Sequence, residues 1–161
     1  MNILHLSSNL KFGGSEQQLI YLIDALNKNQ VTSYVFCFED SILLDYVGDI
    51  KGKIIAVPNN KAYSKTLLKD LRNTVLDYKI DVIHIHNGKF VLTYMLCDII
   101  YKLPCKTIFS KKDMSTSSSF LSKFKYNYKG IKKITCVTEA IKTRFKQLLY
   151  AKNHHKLIVV R

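Results

Sequence analysis

Residues able to do chemistry gather at four places along this 161-residue chain. The first is Ser7-Ser8-Asn9-Leu10-Lys11-Phe12-Gly13-Gly14-Ser15-Glu16, which joins an apolar run to an amphipathic one. Glycines without a Cβ let a backbone come close to a ligand, and the free N–H groups of a helix start attract an anion. A phosphate or a sugar hydroxyl could therefore dock at Gly13 and Gly14. The same pair could equally do no more than make a tight strand-to-helix turn. The spacing is not G-x-G-x-x-G and no P-loop lysine follows, which counts against a dinucleotide oxidoreductase and a nucleoside triphosphatase.

The second place is Asp81-Val82-Ile83-His84-Ile85-His86-Asn87, where strand alternation puts two imidazoles on one face. Such a pair could chelate a metal, but no further Cys, His or carboxylate lies beside it in sequence, so no metal is expected and hydrogen bonding is the expected role. His84, inside the apolar run, is expected to be a satisfied core histidine. His86 and Asn87, at the carboxyl end, are placed to meet a ligand.

The third is Ser110-Lys111-Lys112-Asp113, followed by a serine-rich stretch over 115–119 and then by Phe120-Leu121-Ser122-Lys123-Phe124-Lys125-Tyr126-Asn127-Tyr128-Lys129. On a helix, Phe120, Leu121, Phe124 and Tyr128 fall within one stripe of roughly 100°, with Lys125 and Lys129 beside it. That pattern fits an interfacial helix on an anionic leaflet, and it fits equally a helix packed on a sheet with solvated lysines. Basic residues among aromatics can also grip single-stranded nucleic acid, but no nucleic-acid signature accompanies them and that partner is not expected. The fourth place is Thr138-Glu139, a helix opening after an apolar run.

What must position these groups is an alternating fold. The runs Ile3–Leu6, Tyr34–Phe38, Ile54–Val57, Val82–Ile85, Thr107–Phe109, Ile134–Val137 and Leu157–Val160 are short and apolar on both faces, as strands of a covered parallel sheet are. Between them Leu19, Leu22, Ile23 and Leu26, then Leu92, Met95, Leu96 and Ile99, keep helical phase. Ser15-Glu16-Gln17-Gln18 suggests a capping box, Ser64 and Thr138 open helices, and Pro104 stops one near Tyr101. Strand and helix in alternation predict right-handed βαβ units: an α/β, Rossmann-like doubly wound sheet of about seven mostly or wholly parallel strands, with helices on both faces, spanning residues 1–161 as one domain. Ligands of such sheets bind outside the carboxyl ends of the strands, where strand order reverses.

Composition sets limits on this reading. Hydrophobic residues make up 47% of the chain and charged ones 23%, with two prolines, which excludes disordered and collagenous classes. No apolar run is long enough for a bilayer, no signal sequence is evident at the start, and four scattered cysteines suggest buried free thiols, so a cytoplasmic protein is expected. The formal net charge is +13, and all of it lies after residue 99: residues 1–99 hold ten basic and ten acidic residues, whereas 100–161 hold fifteen basic residues against Asp113 and Glu139. A surface that meets an anion is implied.

MNILHLSSNLKFGGSEQQLIYLIDALNK, DVIHIHN and ITCVTEAIKTRF followed by LIVV, in that order, resemble the amino-terminal half of a GT-B glycosyltransferase of the family 4 type. The resemblance implies a retaining transferase that moves a sugar from a nucleotide-sugar donor to a glycan or glycolipid acceptor without a metal or other cofactor, in surface polysaccharide or lipopolysaccharide synthesis. It implies that this domain holds mainly the acceptor. Gly13, Gly14 and Glu16 match the family's glycine-rich loop, His86 its second strand histidine, and Thr138 with Glu139 its helix-opening pair. Where many members carry a histidine after the fifth strand this chain has Ser110, Lys111 and Lys112, and either lysine could meet a phosphate as a point charge. Family members continue into a donor-binding domain, so these residues alone are expected to be inactive, in a protein that is cytoplasmic or peripheral at the inner face of the membrane. The rival reading is a non-enzymatic basic module for an anionic membrane surface or nucleic acid.

Overall fold

A computed structural model of the chain describes residues 1–46, 48, 50, 52–115 and 117–160. Its elements run β1 (Asn2–Leu6), α1 (Gly14–Lys28), β2 (Thr32–Phe38), β3 (Lys53–Val57), α2 (Lys65–Asp77), β4 (Val82–Ile85), α3 (Gly88–Tyr101), β5 (Lys106–Lys111), α4 (Phe120–Tyr126), β6 (Ile131–Cys136), α5 (Glu139–Lys146) and β7 (Leu157–Val159), with 3-10 turns at Ile42–Tyr46 and Ala151–Lys156. All seven runs expected to be strands are strands. They form one sheet in the order β3-β2-β1-β4-β5-β6-β7, parallel at every pairing. The order reverses between β1 and β4, so the carboxyl ends of those two strands open the crevice a ligand would enter.

Alternation along the strands sorts the side chains into two cores. Leu4, Leu6, Phe36, Phe38, Ile83, Ile85, Phe109 and Ile134 pack with Leu67, Leu71, Phe90, Tyr94, Tyr126, Ile141 and Phe145, so α2 to α5 share one face of the sheet. The other face buries Val35 and Cys37 under Leu19 and Ile23 of α1, with Leu43 and Ile50. His5 is in register with Val35 on one side and His84 on the other, which puts both histidines on the α1 face.

Several boundaries depart from the sequence reading. β5 runs on to Lys111, so Ser110 and Lys111 are strand residues rather than loop residues. The α1 cap falls on Gly13 rather than Ser15, which makes Glu16 the third helical residue, and its Oε2 accepts from the Gly13 N–H at 3.0 Å. A side-chain cap is thus supplied from inside the helix, because glycine has none to give. α4 ends at Tyr126, before Tyr128 and Lys129. Thr116, within the serine-rich stretch, and Arg161, at the chain end, lie outside the described residues. The other signals stand as expected: Thr138 Oγ1 accepts from the Ile141 N–H at 3.2 Å, and α3 ends at Tyr101 with Lys102 at φ 51° just ahead of Pro104. The four cysteines are free, three of them buried.

Candidate functional site

At the β1/β4 reversal lies a cleft of about 600 Å³. β1 delivers the loop that leads to α1, β4 delivers His86, Asn87 and Gly88, and β5 delivers Ser110 to Asp113. One wall is the first turn of α1, at Gly14 and Ser15; the floor holds His86 and Ser110; the far wall carries Lys111, Lys112, Lys125 and Tyr126. Two segments far apart in sequence are stitched together beneath it: Asn87 Nδ2 donates to the Ser8 carbonyl at 3.1 Å, and Asn87 Oδ1 caps α3 through the Phe90 N–H at 3.4 Å.

The glycine loop has a different logic from the one its composition suggests. Neither Gly13 nor Gly14 has positive φ, and Gly13 is extended at φ −160°, a conformation open to any residue. A Cβ on Gly14 would meet nothing within 4 Å. Its missing side chain is therefore part of the empty cleft rather than a condition of the turn. Glu16 is buried and does not line the cleft; its carboxylate accepts from the Gly13 N–H and from Asn9 Nδ2, fixing the loop that Gly14 leaves open. Of the two glycines that line the cleft, packing requires Gly88, where a Cβ would stand 2.7 Å from the Tyr126 hydroxyl.

The lysines separate by what they touch. Lys111 is buried, with Nζ 2.8 Å from Asp113 Oδ1 and a further bond to the Ser115 carbonyl, so its charge is already matched and it anchors the loop that follows. Lys125 Nζ donates to the Gly88 carbonyl at 2.8 Å. Lys112 Nζ donates to an uncharged group, the Ser15 carbonyl of α1, at 3.1 Å. Burial pulls its ammonium down to about 8, partly opposed by the Glu16 carboxylate. A cation held on a cleft wall and poorly solvated is suited to meet an anionic ligand.

Sequence reasoning missed His5. Register brings it beside His84, and its Nδ1 lies 3.1 Å from His86 Nε2, so three imidazoles meet at the β1/β4 seam, and of these His86 lines the cleft. His84 Nε2 lies 2.7 Å from Ser110 Oγ, which lies 2.7 Å from Thr135 Oγ1. All three rings are kept neutral. Burial, the His84 ring and Lys112 bring His5 to about 3; burial and Lys112 bring His84 to about 4; and burial first, then the neighbouring His84 ring, the Lys112 ammonium and the His5 ring, hold His86 well below the usual histidine range. Their nitrogens come within 4.8 Å of one another, close enough to consider a metal. The surroundings argue for hydrogen bonding instead. A cation between His5 Nδ1 and His86 Nε2 would force protons onto His5 Nε2 and His86 Nδ1, which have no protein partner, and would face the Lys112 ammonium.

Of the other expected site residues, Thr138 and Glu139 sit at the α5 start but do not line the cleft, and Glu139 pairs with Lys142 at 3.5 Å. The aromatic stripe divides. Phe120, Leu121 and Phe124 are exposed, Phe120 at 84%, and the two phenyl rings lie near-parallel 6.5 Å apart. Tyr128 turns inward to donate to Asp98 Oδ2 at 2.6 Å, because the helix has ended, and Lys125 turns to the cleft, so neither belongs to the exposed face. Lys129 is exposed. No helix among the described residues is long and apolar enough to cross a membrane.

The sequence profile of Glycosyltransferase Family 4 matches residues 12–160. The chain belongs to that family. Membership favours sugar transfer over the stand-alone basic module. Comparison with curated protein sequences gives no match. Among solved structures, a glycosyltransferase from Rickettsia africae superposes with TM-score 0.80 at 17% identity, over 99% of this chain and 42% of that one. HepE of Anabaena, solved with UDP, superposes with TM-score 0.78 at 17% identity, over 99% and 43%. The lipopolysaccharide outer core galactosyltransferase WaaB gives 0.74 at 11%, over 99% and 45%. Identities this low speak for a shared fold, and the family 4 chain spans less than half the length of each of these proteins.

Proposed function

We propose that this chain is the acceptor-side wall of a retaining glycosyltransferase, which moves a sugar from a nucleotide-sugar donor to a phosphate-bearing glycan or glycolipid acceptor. The observation that carries the reading is the convergence of the open first turn of α1 at Gly14, the neutral His86 and the Lys112 ammonium on one cleft at the point of strand reversal. Negative charge grows on the diphosphate as it leaves the sugar. Fixed N–H groups at a helix start and a desolvated ammonium stabilise that charge most where water is excluded, and they need no metal to do so. HepE has been solved with UDP-glucose, which makes UDP-sugars the first donor class to test, and WaaB is a lipopolysaccharide outer core galactosyltransferase, which supports a glycolipid acceptor.

The exposed Phe120-Leu121-Phe124 face and the surplus of lysines after residue 99 support docking on the anionic inner leaflet, where a glycolipid acceptor would be met. Half of the cleft belongs to a second wall, so residues 1–161 alone are expected to bind but not to turn over. The test compares this chain with a longer protein that carries it, using UDP-sugars and glycolipid acceptors in anionic vesicles, with the product anomer read by NMR. Transfer by the longer protein with retention, insensitive to chelators, is expected. Robust transfer by the 161-residue chain, or inversion at the anomeric carbon, would overturn the proposal.

A further inference from the structure

His5 is fully buried on β1, and its Nδ1 faces His86 Nε2 at 3.1 Å. Both rings are neutral, so each carries one proton, and one of the two facing nitrogens donates to the other. The two outer nitrogens, His5 Nε2 and His86 Nδ1, have no protein partner. Whichever way the central bond runs, one outer nitrogen is therefore an unpaired N–H and the other a bare lone pair. An orphaned buried N–H is rarer in folded proteins than an unfilled acceptor. At His5 it would sit under α1, beside Val35 in the smaller apolar core. At His86 it would sit in a ring that lines the cleft, on a nitrogen that is itself buried.

We propose that His5 is a positioning residue that donates from Nδ1 to His86 Nε2 and so fixes His86 as the Nδ1–H tautomer, a neutral donor to an oxygen atom of the ligand in the cleft. The identity of that oxygen, on a sugar hydroxyl or a phosphate, rests on the transferase reading; the tautomer does not. His84 packs against this pair, its ring centroid 4.1 Å from that of His86, but its hydrogen bond goes elsewhere. Its Nε2 is engaged by Ser110, and Ser110 in turn by Thr135, so a separate chain of bonds holds that ring in place. Lys112, which disfavours a second proton on all three rings, helps keep His86 a neutral donor rather than a cation.

The test is nitrogen-15 NMR of the imidazoles in the 161-residue chain at neutral pH, since ring nitrogens with and without a proton resonate far apart. Wild type is expected to show His86 protonated on Nδ1 and bare on Nε2. His5→Phe, which keeps the ring volume and cannot donate, is expected to move His86 toward the Nε2–H form, and His5→Asn, whose Nδ2 stands near the lost Nδ1, to restore it. In a longer active protein, His5→Phe should lower kcat/KM about tenfold, the loss of roughly one hydrogen bond, and His5→Asn should recover most of it. His86 found as the Nε2–H form in wild type, or unchanged in His5→Phe, overturns the proposal. Should the Phe variant fail to fold, the wild-type and Asn spectra decide. Absence of transferase activity with the expected tautomer would sink the transferase reading and leave the His5 role standing.

Discussion

Lys125 Nζ donates to the Gly88 carbonyl oxygen at 2.8 Å, and this bond pins the short α4 helix to the first turn of α3. The contact leaves no room at Gly88: a Cβ there would lie 2.7 Å from the hydroxyl of Tyr126, a ring already stacked on Phe109 and edge-on to Phe145. Gly88→Ala is therefore expected to destabilise the fold by about 1–3 kcal/mol through overpacking, read from urea unfolding, whereas Gly14→Ala should stay within roughly 0.5 kcal/mol. Equal costs at the two glycines would contradict this division.

Ser110 joins β4 to β6 through His84 and Thr135. Ser110→Ala leaves both partners short of a bond in a half-buried setting and is expected to cost about 1–3 kcal/mol. Ser110→Thr, which keeps the hydroxyl, should recover much of it, and a Ser110→Ala variant as stable as wild type would show the chain of bonds to be without weight.

Lys112 gives the fold a pH dependence of definite sign. Its folded value, about 8, lies below the ordinary 10.5, so the unfolded chain binds the proton more tightly. The penalty for holding a charged lysine in the cleft wall is then fully present below pH 8 and fades as pH rises toward 10.5. The stability of wild type relative to Lys112→Met should rise by roughly 3 kcal/mol between pH 7 and pH 10.5. Buried cysteines and tyrosines titrate with the opposite sign, and comparing the two proteins cancels them. A flat difference across that window would mean that Lys112 is solvated. Anion binding runs the other way: affinity for inorganic pyrophosphate should fall as pH passes 8 in wild type and stay low throughout in Lys112→Met.

The exposed face of α4 predicts selective effects on membrane binding. Phe120→Ser with Phe124→Ser should leave the melting temperature unchanged and cut partitioning onto anionic vesicles strongly, because both rings stand in solvent. Lys129→Gln should weaken vesicle binding by about 1 kcal/mol at low salt, while Lys125→Gln, whose ammonium is spent on Gly88, should lower stability more than partitioning. Equal losses from the two lysine variants in sedimentation assays would place Lys125 on the surface after all.

The sequence by itself determined the seven strands, their parallel pairing and the end of the sheet at which a ligand enters. Apolar runs at Val82–Ile85 and Leu157–Val160 and helical phase at Leu19–Leu26 are local signals, set by the 2.0 and 3.6 periods of backbone geometry. It also pointed to His86, Asn87, Ser110 and Lys112, because residues that follow a parallel strand face the crevice. Only the tertiary structure decided which of these groups act on one another. His5 meets His86 through register between strands about eighty residues apart, a relation no local pattern encodes. Glu16 was legible as part of a loop motif, but its burial turns it into a support for that loop, and Tyr128 left the aromatic stripe because Asp98, thirty residues away, offers its hydroxyl a partner. Periodicity reports which face a residue occupies; the partner waiting on that face is set by the packing of distant segments.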